Sequence, residues 1–234
     1  MKLIKPKELN PLIPIKFRKY AGFYPYMIPI FGKMYFGRIK RILKVFTEIN
    51  KDFSKVLEVG GGFGLFSSNF KLNFPESEVY LLDLYSNEIM NIIENILTTH
   101  FKIFLKYDFE CDIQKKTSFE DQSFDLIFAL DILEHIPDPE SALDEIIRLL
   151  KKGGYLFISV PTEVKILDLI RKIYSKIEFI ETNPHWNGII KSEREFFNCL
   201  KEKNFNIKWQ TKYPYNFLPK MFSYDIFYLI QKGM

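Results

Sequence analysis

Between Val56 and Gly64 the chain reads Val-Leu-Glu-Val-Gly-Gly-Gly-Phe-Gly, an apolar run carrying one acid, Glu58, into a cluster of glycines. Such a turn lets a ligand approach the main chain closely, because side chains would block it and some positions require φ > 0. The dinucleotide fingerprint GxGxxG fails in both registers, since the third glycine would fall at Leu65 or at Ser67. What stands there is Gly60-x-Gly62-x-Gly64 with Glu58 two residues ahead. A carboxylate in that place suits a cationic amino group and would repel a pyrophosphate. Asp83, 19 residues beyond Gly64, ends the next apolar run, the usual place for an acid that hydrogen-bonds ribose hydroxyls. A solvated turn aspartate is the plain alternative. Asp108 has the chemistry to accept from an adenine amino group, with Phe109 packed on the ring.

Two histidines are candidates for chemistry. His135, in Asp131-Ile-Leu-Glu-His, follows an apolar run, and its imidazole titrates near neutrality as a general base must; ordering the turn before Asp138 is the other reading. His185, beside Trp186, is a candidate to line an acceptor pocket. No His/Asp/Glu cluster has ligand spacing, so no metal is expected.

The elements that must position these residues follow from periodicity. Apolar runs at 55–59, 78–83, 101–106, 124–129 and 155–160 read as strands. They alternate with helical patterns at 33–46, 64–72 and 86–100, and with one starting at Asp138-Pro139, with Asp as cap and Pro at the first helical position, and ending at Gly153-Gly154. Strands separated by helices of this length pair in parallel, giving a doubly wound α/β sheet. Helices near 163–175 and 191–203 and strands near 205–212 and 225–231 follow, while residues 1 to about 32 read as an irregular, proline-punctuated lead-in. The division expected is an aromatic-rich segment and helix over 1–52, then a ligand-binding domain over 53–234.

Composition narrows the class. The 234 residues are 47% hydrophobic and 26% charged, which is globular rather than disordered. A net charge of +4 does not by itself make a nucleic-acid binder. Cys111 and Cys199 are far apart and form no CxxC pair, which predicts reduced thiols and a cytoplasmic protein. The least polar segment, 20–36, is interrupted by Pro25, Pro29, Gly22, Gly32 and Lys33, so no membrane-spanning helix is expected. Aromatic residues reach 17%, with 24 Phe and 13 Tyr, concentrated in 20–36 and 213–229. They suit a core, an apolar acceptor pocket with a lid, or a membrane-surface face flanked by Lys33, Arg38, Lys40, Arg41 and Lys44.

Three blocks, Val56 to Gly64, Phe124 to Glu140 and Leu150 to Pro161, resemble in order the motifs of the class I S-adenosylmethionine-dependent methyltransferases, and most closely the small-molecule enzymes of the type 11/12 domain. The likeness spans roughly 53–210. It implies a Rossmann-like sheet, mostly parallel with an antiparallel last strand, and S-adenosyl-L-methionine as cofactor. It also implies that Glu58, Gly60, Gly62 and Gly64 hold the methionine part. Asp83 and Leu84 would meet ribose and adenine, Asp108 and Phe109 the adenine, and Leu130 the carboxylate side by its backbone. Lys152 departs from the proline often found there. The expected activity is methyl transfer to a small molecule, with oxygen as the acceptor atom; a non-catalytic cofactor-binding or scaffold protein of the same fold is the other reading. An NAD-dependent reductase is disfavoured by Leu65 and Ser67. Protein or nucleic-acid methylation is disfavoured because Asp131-Ile-Leu-Glu replaces an Asn/Asp-Pro-Pro-aromatic block.

Overall fold

Val56, Leu57, Glu58 and Val59 are all buried in strand β1 (Lys55–Val59), the uniform burial of an inner strand covered on both faces. The computed structural model describes residues 1–18, 29–49, 51–84, 86–108, 111–161, 198, 200, 203, 205–213 and 225–233. Among them, β1 is joined by β2 (Glu78–Leu82), β3 (Lys106–Asp108), β4 (Phe124–Leu130), β5 (Leu150–Pro161), β6 (Asn206–Tyr213) and β7 (Asp225–Gln231). The seven strands form one sheet in the order β3-β2-β1-β4-β5-β7-β6. β7 runs antiparallel to both β5 and β6, so the mixed, doubly wound sheet expected from the sequence is the one observed. Contacts divide the chain into two compact units, Met1–Asp112 with Phe124–Leu126, and Ile113–Ser123 with Ile127–Met234.

In the first unit β1, β2 and β3 pair in parallel, with Val59 opposite Leu82 and Leu82 opposite Asp108. This register brings the ends of all three strands to one edge. Helix α3 (Pro29–Ile49) buries Ile39, Ile42, Leu43 and Phe46 as its periodicity predicts. Arg38, expected on an outward basic face, is instead 2% exposed, which removes one charge from the proposed membrane-facing set. Helix α4 (Leu65–Asn73) follows β1, and α5 (Asn87–Ile96) follows β2.

Two expectations in this unit are corrected. The third strand starts at Lys106 rather than Phe101, because α5 continues as a π turn over Leu97–Phe101 that closes on Lys102 with φ 55°. The lead-in is not irregular throughout: it holds α1 (Pro6–Leu9), a 3-10 turn (Asn10–Leu12) and α2 (Ile15–Arg18), with Leu9 and Phe17 of the helices and Ile13 between them buried. It is tied to α4 by two asparagines. Asn69 accepts from the Ile4 N–H at 2.7 Å and donates to its carbonyl; Asn73 does the same for Lys2. The geometry suits the pairing, since an extended chain advances about 6.6 Å in two residues and a helix about 6 Å in four.

In the second unit α6 (Pro139–Leu149) begins as the sequence predicts. Asp138 caps it by accepting from the Ser141 N–H at 3.1 Å, and Pro139 is its first residue. Its end is corrected. Gly153-Gly154 lie inside β5, and the helix stops at Leu149, where the Lys232 ammonium donates to the carbonyls of Ile147 and Leu150. A lysine thus satisfies terminal carbonyls that a glycine-initiated turn was expected to satisfy.

Much of the aromatic excess, as far as it is described, is core, although Phe104 is 67% exposed. Phe70 packs on Phe46 and Phe74 in the first unit, and Phe157 on Phe128, Trp209 and Phe227 in the second. The helix near 163–175, the loop at 184–186 and most of the aromatic stretches 20–36 and 213–229 lie outside the described residues. Among the described residues no helix is long and apolar enough to cross a membrane.

The asparagine clasp should be measurable as stability. Asn69→Ala strips both partners from the buried Ile4 peptide and should cost about 1–3 kcal/mol in urea unfolding, with faster amide exchange at Ile4; an unchanged midpoint would refute the clasp.

Candidate cofactor and active site

Gly60, Gly62 and Gly64 all adopt left-handed backbone, with φ of 68°, 55° and 66°. Alternation of these with ordinary residues turns the chain sharply from β1 into α4. The turn is pinned at its start by the Gly60 N–H, which donates to the Leu82 carbonyl at 2.8 Å. Gly61, which the sequence reading passed over, is required by packing. A Cβ there would overlap Leu81 and lie 2.7 Å from Glu58 Cδ. Gly62 differs. A Cβ built on it meets nothing within 4 Å, so its bare backbone borders open space that a ligand can enter.

Asp83 faces this loop. Its Oδ2 accepts from the Gly62 N–H at 2.8 Å, while its main chain donates to the Asp108 carbonyl at 3.4 Å and accepts from Cys111 at 3.2 Å. Three sequence-selected residues, Gly62, Asp83 and Asp108, are therefore brought together. Leu84 follows directly and is 65% exposed. Phe109 lies outside the described residues.

Glu58 is 4% exposed and turned inward. Its Oε2 accepts from the Ser67 N–H at 2.9 Å and from the Ser67 hydroxyl. Burial pushes its carboxyl up to about 7, against the opposing pull of the two Ser67 hydrogen bonds; the nearby Asp83 charge adds to the rise.

In the second unit, Leu130 ends β4 half-buried. The next residue, Asp131, holds φ 51°, uncommon for a residue with a side chain. Ser159 of β5 holds it there: its hydroxyl accepts from the Asp131 N–H at 2.8 Å and donates to the Asp131 carboxylate at 2.7 Å. His135 falls in a 3-10 turn, Leu133–His135, between β4 and the Asp138 cap. Its ring is about one-third exposed, and Nε2 lies 3.9 Å from a carboxylate oxygen of the buried Glu134. His185 lies outside the described residues. Among the described residues no group of three or more His, Cys, Asp or Glu is placed to hold a metal.

A family model described as a methyltransferase domain matches residues 31–208. The chain belongs to that methyltransferase family. It is 27% identical over 206 residues to a ubiquinone/menaquinone biosynthesis C-methyltransferase of Pasteurella multocida, covering 86% of this chain and 74% of that protein. It is 26% identical over 172 residues to a ubiquinone biosynthesis O-methyltransferase of Glaesserella parasuis, covering 72% of each. The fold is similar to that of an S-adenosylmethionine-dependent methyltransferase from Clostridium acetobutylicum, with a TM-score of 0.69, 18% identity and coverage of 94% and 100%.

This methyltransferase thus has the fold of S-adenosylmethionine-dependent enzymes. The residues at its glycine loop fit such a cofactor. The open side of Gly62 leaves room beside the main chain, and the Asp83 carboxylate at that loop suits ribose hydroxyls and positive charge.

Glu58 makes the stability of the methyltransferase pH-dependent. Its folded value near 7 exceeds the ordinary 4.5, so the folded state holds the proton more tightly. Its contribution is fully present below about pH 4.5 and is lost as pH rises through about 7, a change of order 3 kcal/mol. Glu58→Gln should remove that component, so its unfolding free energy, compared with wild type from pH 4.5 to 8, should diverge across this window. Parallel curves would show that Glu58 is not the titrating group.

Proposed function

We propose that the methyltransferase moves the methyl group of S-adenosylmethionine to an oxygen of a small, apolar acceptor. The observation that carries the cofactor half is the open, left-handed Gly62 beside the Asp83 carboxylate. Support for a small-molecule acceptor comes from relatives named for quinone biosynthesis, and support for oxygen from a malonyl-[acyl-carrier protein] O-methyltransferase of Ilyobacter polytropus, 27% identical over 170 residues and covering 71% of this chain and 63% of that protein. Carbon as the acceptor atom is the second reading, favoured by the C-methyltransferase among those relatives.

On this reading Gly60, Gly62 and Gly64 let the methionine part lie against the main chain, and Asp83 binds ribose. Leu84 and Asp108 border the base, and Leu130 offers backbone to the carboxylate side. The bound cofactor supplies a methyl already activated by its positive sulfur. The protein's work is then to align the acceptor and exclude water. A base is needed only for an acceptor that must lose a proton, and His135 is the proposed base.

Calorimetric titration with S-adenosylmethionine and S-adenosylhomocysteine tests the cofactor half. Gly62→Leu should abolish binding of both while the protein stays folded, losing roughly 1–2 kcal/mol for a side chain in left-handed backbone. Asp83→Ala should weaken binding by about 1.5–3 kcal/mol, the worth of hydrogen bonds to a charged group. Unaltered dissociation constants in both variants would move the cofactor elsewhere. For the acceptor, isotope-labelled methyl transfer to a panel of catechols, quinols and acyl acids, read by mass spectrometry, should give an O-methyl product; a C-methyl product would overturn the oxygen assignment.

A further inference from the structure

We infer that Ser67 is a positioning residue of the cofactor site, forming with Glu58 a buried clasp that holds the glycine loop in its binding conformation. The inference rests on residues 60–64 being the cofactor loop.

Helix α4 is capped by Gly64, which has no side chain to accept from the first-turn N–H groups. Those donors need partners. Glu58 supplies one from an unusual direction. Its carboxylate comes from the strand before the loop, yet accepts from the N–H of the third helical residue, Ser67, at 2.9 Å, the contact that a capping side chain ordinarily makes. The Ser67 hydroxyl donates to the same oxygen. One partner precedes the glycines and the other follows them, so the pair closes residues 59–66 into a ring.

Gly61 completes the arrangement. A Cβ there would fall 2.7 Å from Glu58 Cδ and 2.8 Å from Oε2, so the loop lies directly against the carboxylate. Ser67 and Glu58 are 1% and 4% exposed. A buried acid is unfavourable in its own right. Its retention beneath the loop is accounted for by the loop geometry it fixes, because a loop ordered before binding does not have to be ordered by the ligand. The competing role for Glu58, direct contact with the cofactor's amino group, uses the same carboxylate but gives the Ser67 hydroxyl no part.

Calorimetry of the full chain with S-adenosylmethionine and S-adenosylhomocysteine separates the two. Ser67→Ala and Glu58→Ala should each weaken both ligands about tenfold or more, as expected when a charge-assisted hydrogen bond is lost. The double variant should be no weaker than the weaker single variant, because a clasp broken once cannot be broken again. Asn73→Ala, which loosens the far end of the same helix, should lower the thermal midpoint and leave both affinities unchanged. If Ser67→Ala does not fold, Ser67→Cys, which keeps the size and a weak donor, should show a smaller loss in the same direction. Unchanged affinity in the serine variant with a loss confined to Glu58→Ala would overturn the clasp in favour of direct contact. Additive losses in the double variant would overturn the coupling. Failure of the unaltered protein to bind either ligand would instead overturn the cofactor-loop reading, and the clasp with it.

Discussion

Three left-handed residues within five, Gly60, Gly62 and Gly64, are the constraint on which the site depends. Each would strain a residue bearing a Cβ, and together they turn a buried strand into a helix without placing side chains in the ligand's path. The turn then needs fixing, because glycine is also the most mobile residue in the chain. The structure fixes it from three sides: the Leu82 carbonyl at Gly60, the Asp83 carboxylate at Gly62, and the Glu58–Ser67 pair beneath. Rigidity is supplied by polar partners outside the loop, so the loop can remain bare.

Those partners also set the charge of the place. Glu58 and Asp83 are close enough for one to raise the pKa of the other. The Asp83 carboxylate at the loop favours a ligand that carries positive charge. A sulfonium with an amino group has that character, whereas a dinucleotide pyrophosphate does not. The end of β4 shows the same economy of means in the second unit. Asp131 leaves the strand in left-handed backbone, and the Ser159 hydroxyl meets both its N–H and its carboxylate.

The strands and most helices were legible because burial imposes periodicity. Lys55 to Val59 and Phe124 to Ala129 read as strands, and Ile39, Ile42, Leu43 and Phe46 as one helical face. The Asp138-Pro139 start was legible because capping is local chemistry. The expectations that failed depended on distant partners. Gly153-Gly154 resembled a helix end until Lys232, some eighty residues later in the chain, was found at the carbonyls of Ile147 and Leu150. The third strand was placed early because a π turn has no apolar rhythm that differs from a helix. At the site, glycine spacing and Asp83 were readable from type and order. Ser67 was not: a serine early in a helix is common, and its link to Glu58 crosses the whole loop. Gly61 carried a signal in the unbroken run of three glycines, but only the position of Leu81 explains it.

The attachment of Lys2 and Ile4 to Asn73 and Asn69 is made through peptide groups, not side chains. Recognition of that kind does not read the side chains it bonds past, but depends strictly on the count of residues between the contacts. The exposed position 2 can therefore drift in sequence without losing its seat, while Ile4, 4% exposed, is held by its apolar side chain as well. A single inserted or deleted residue between the two contacts, however neutral in character, would put every amide out of step with its asparagine.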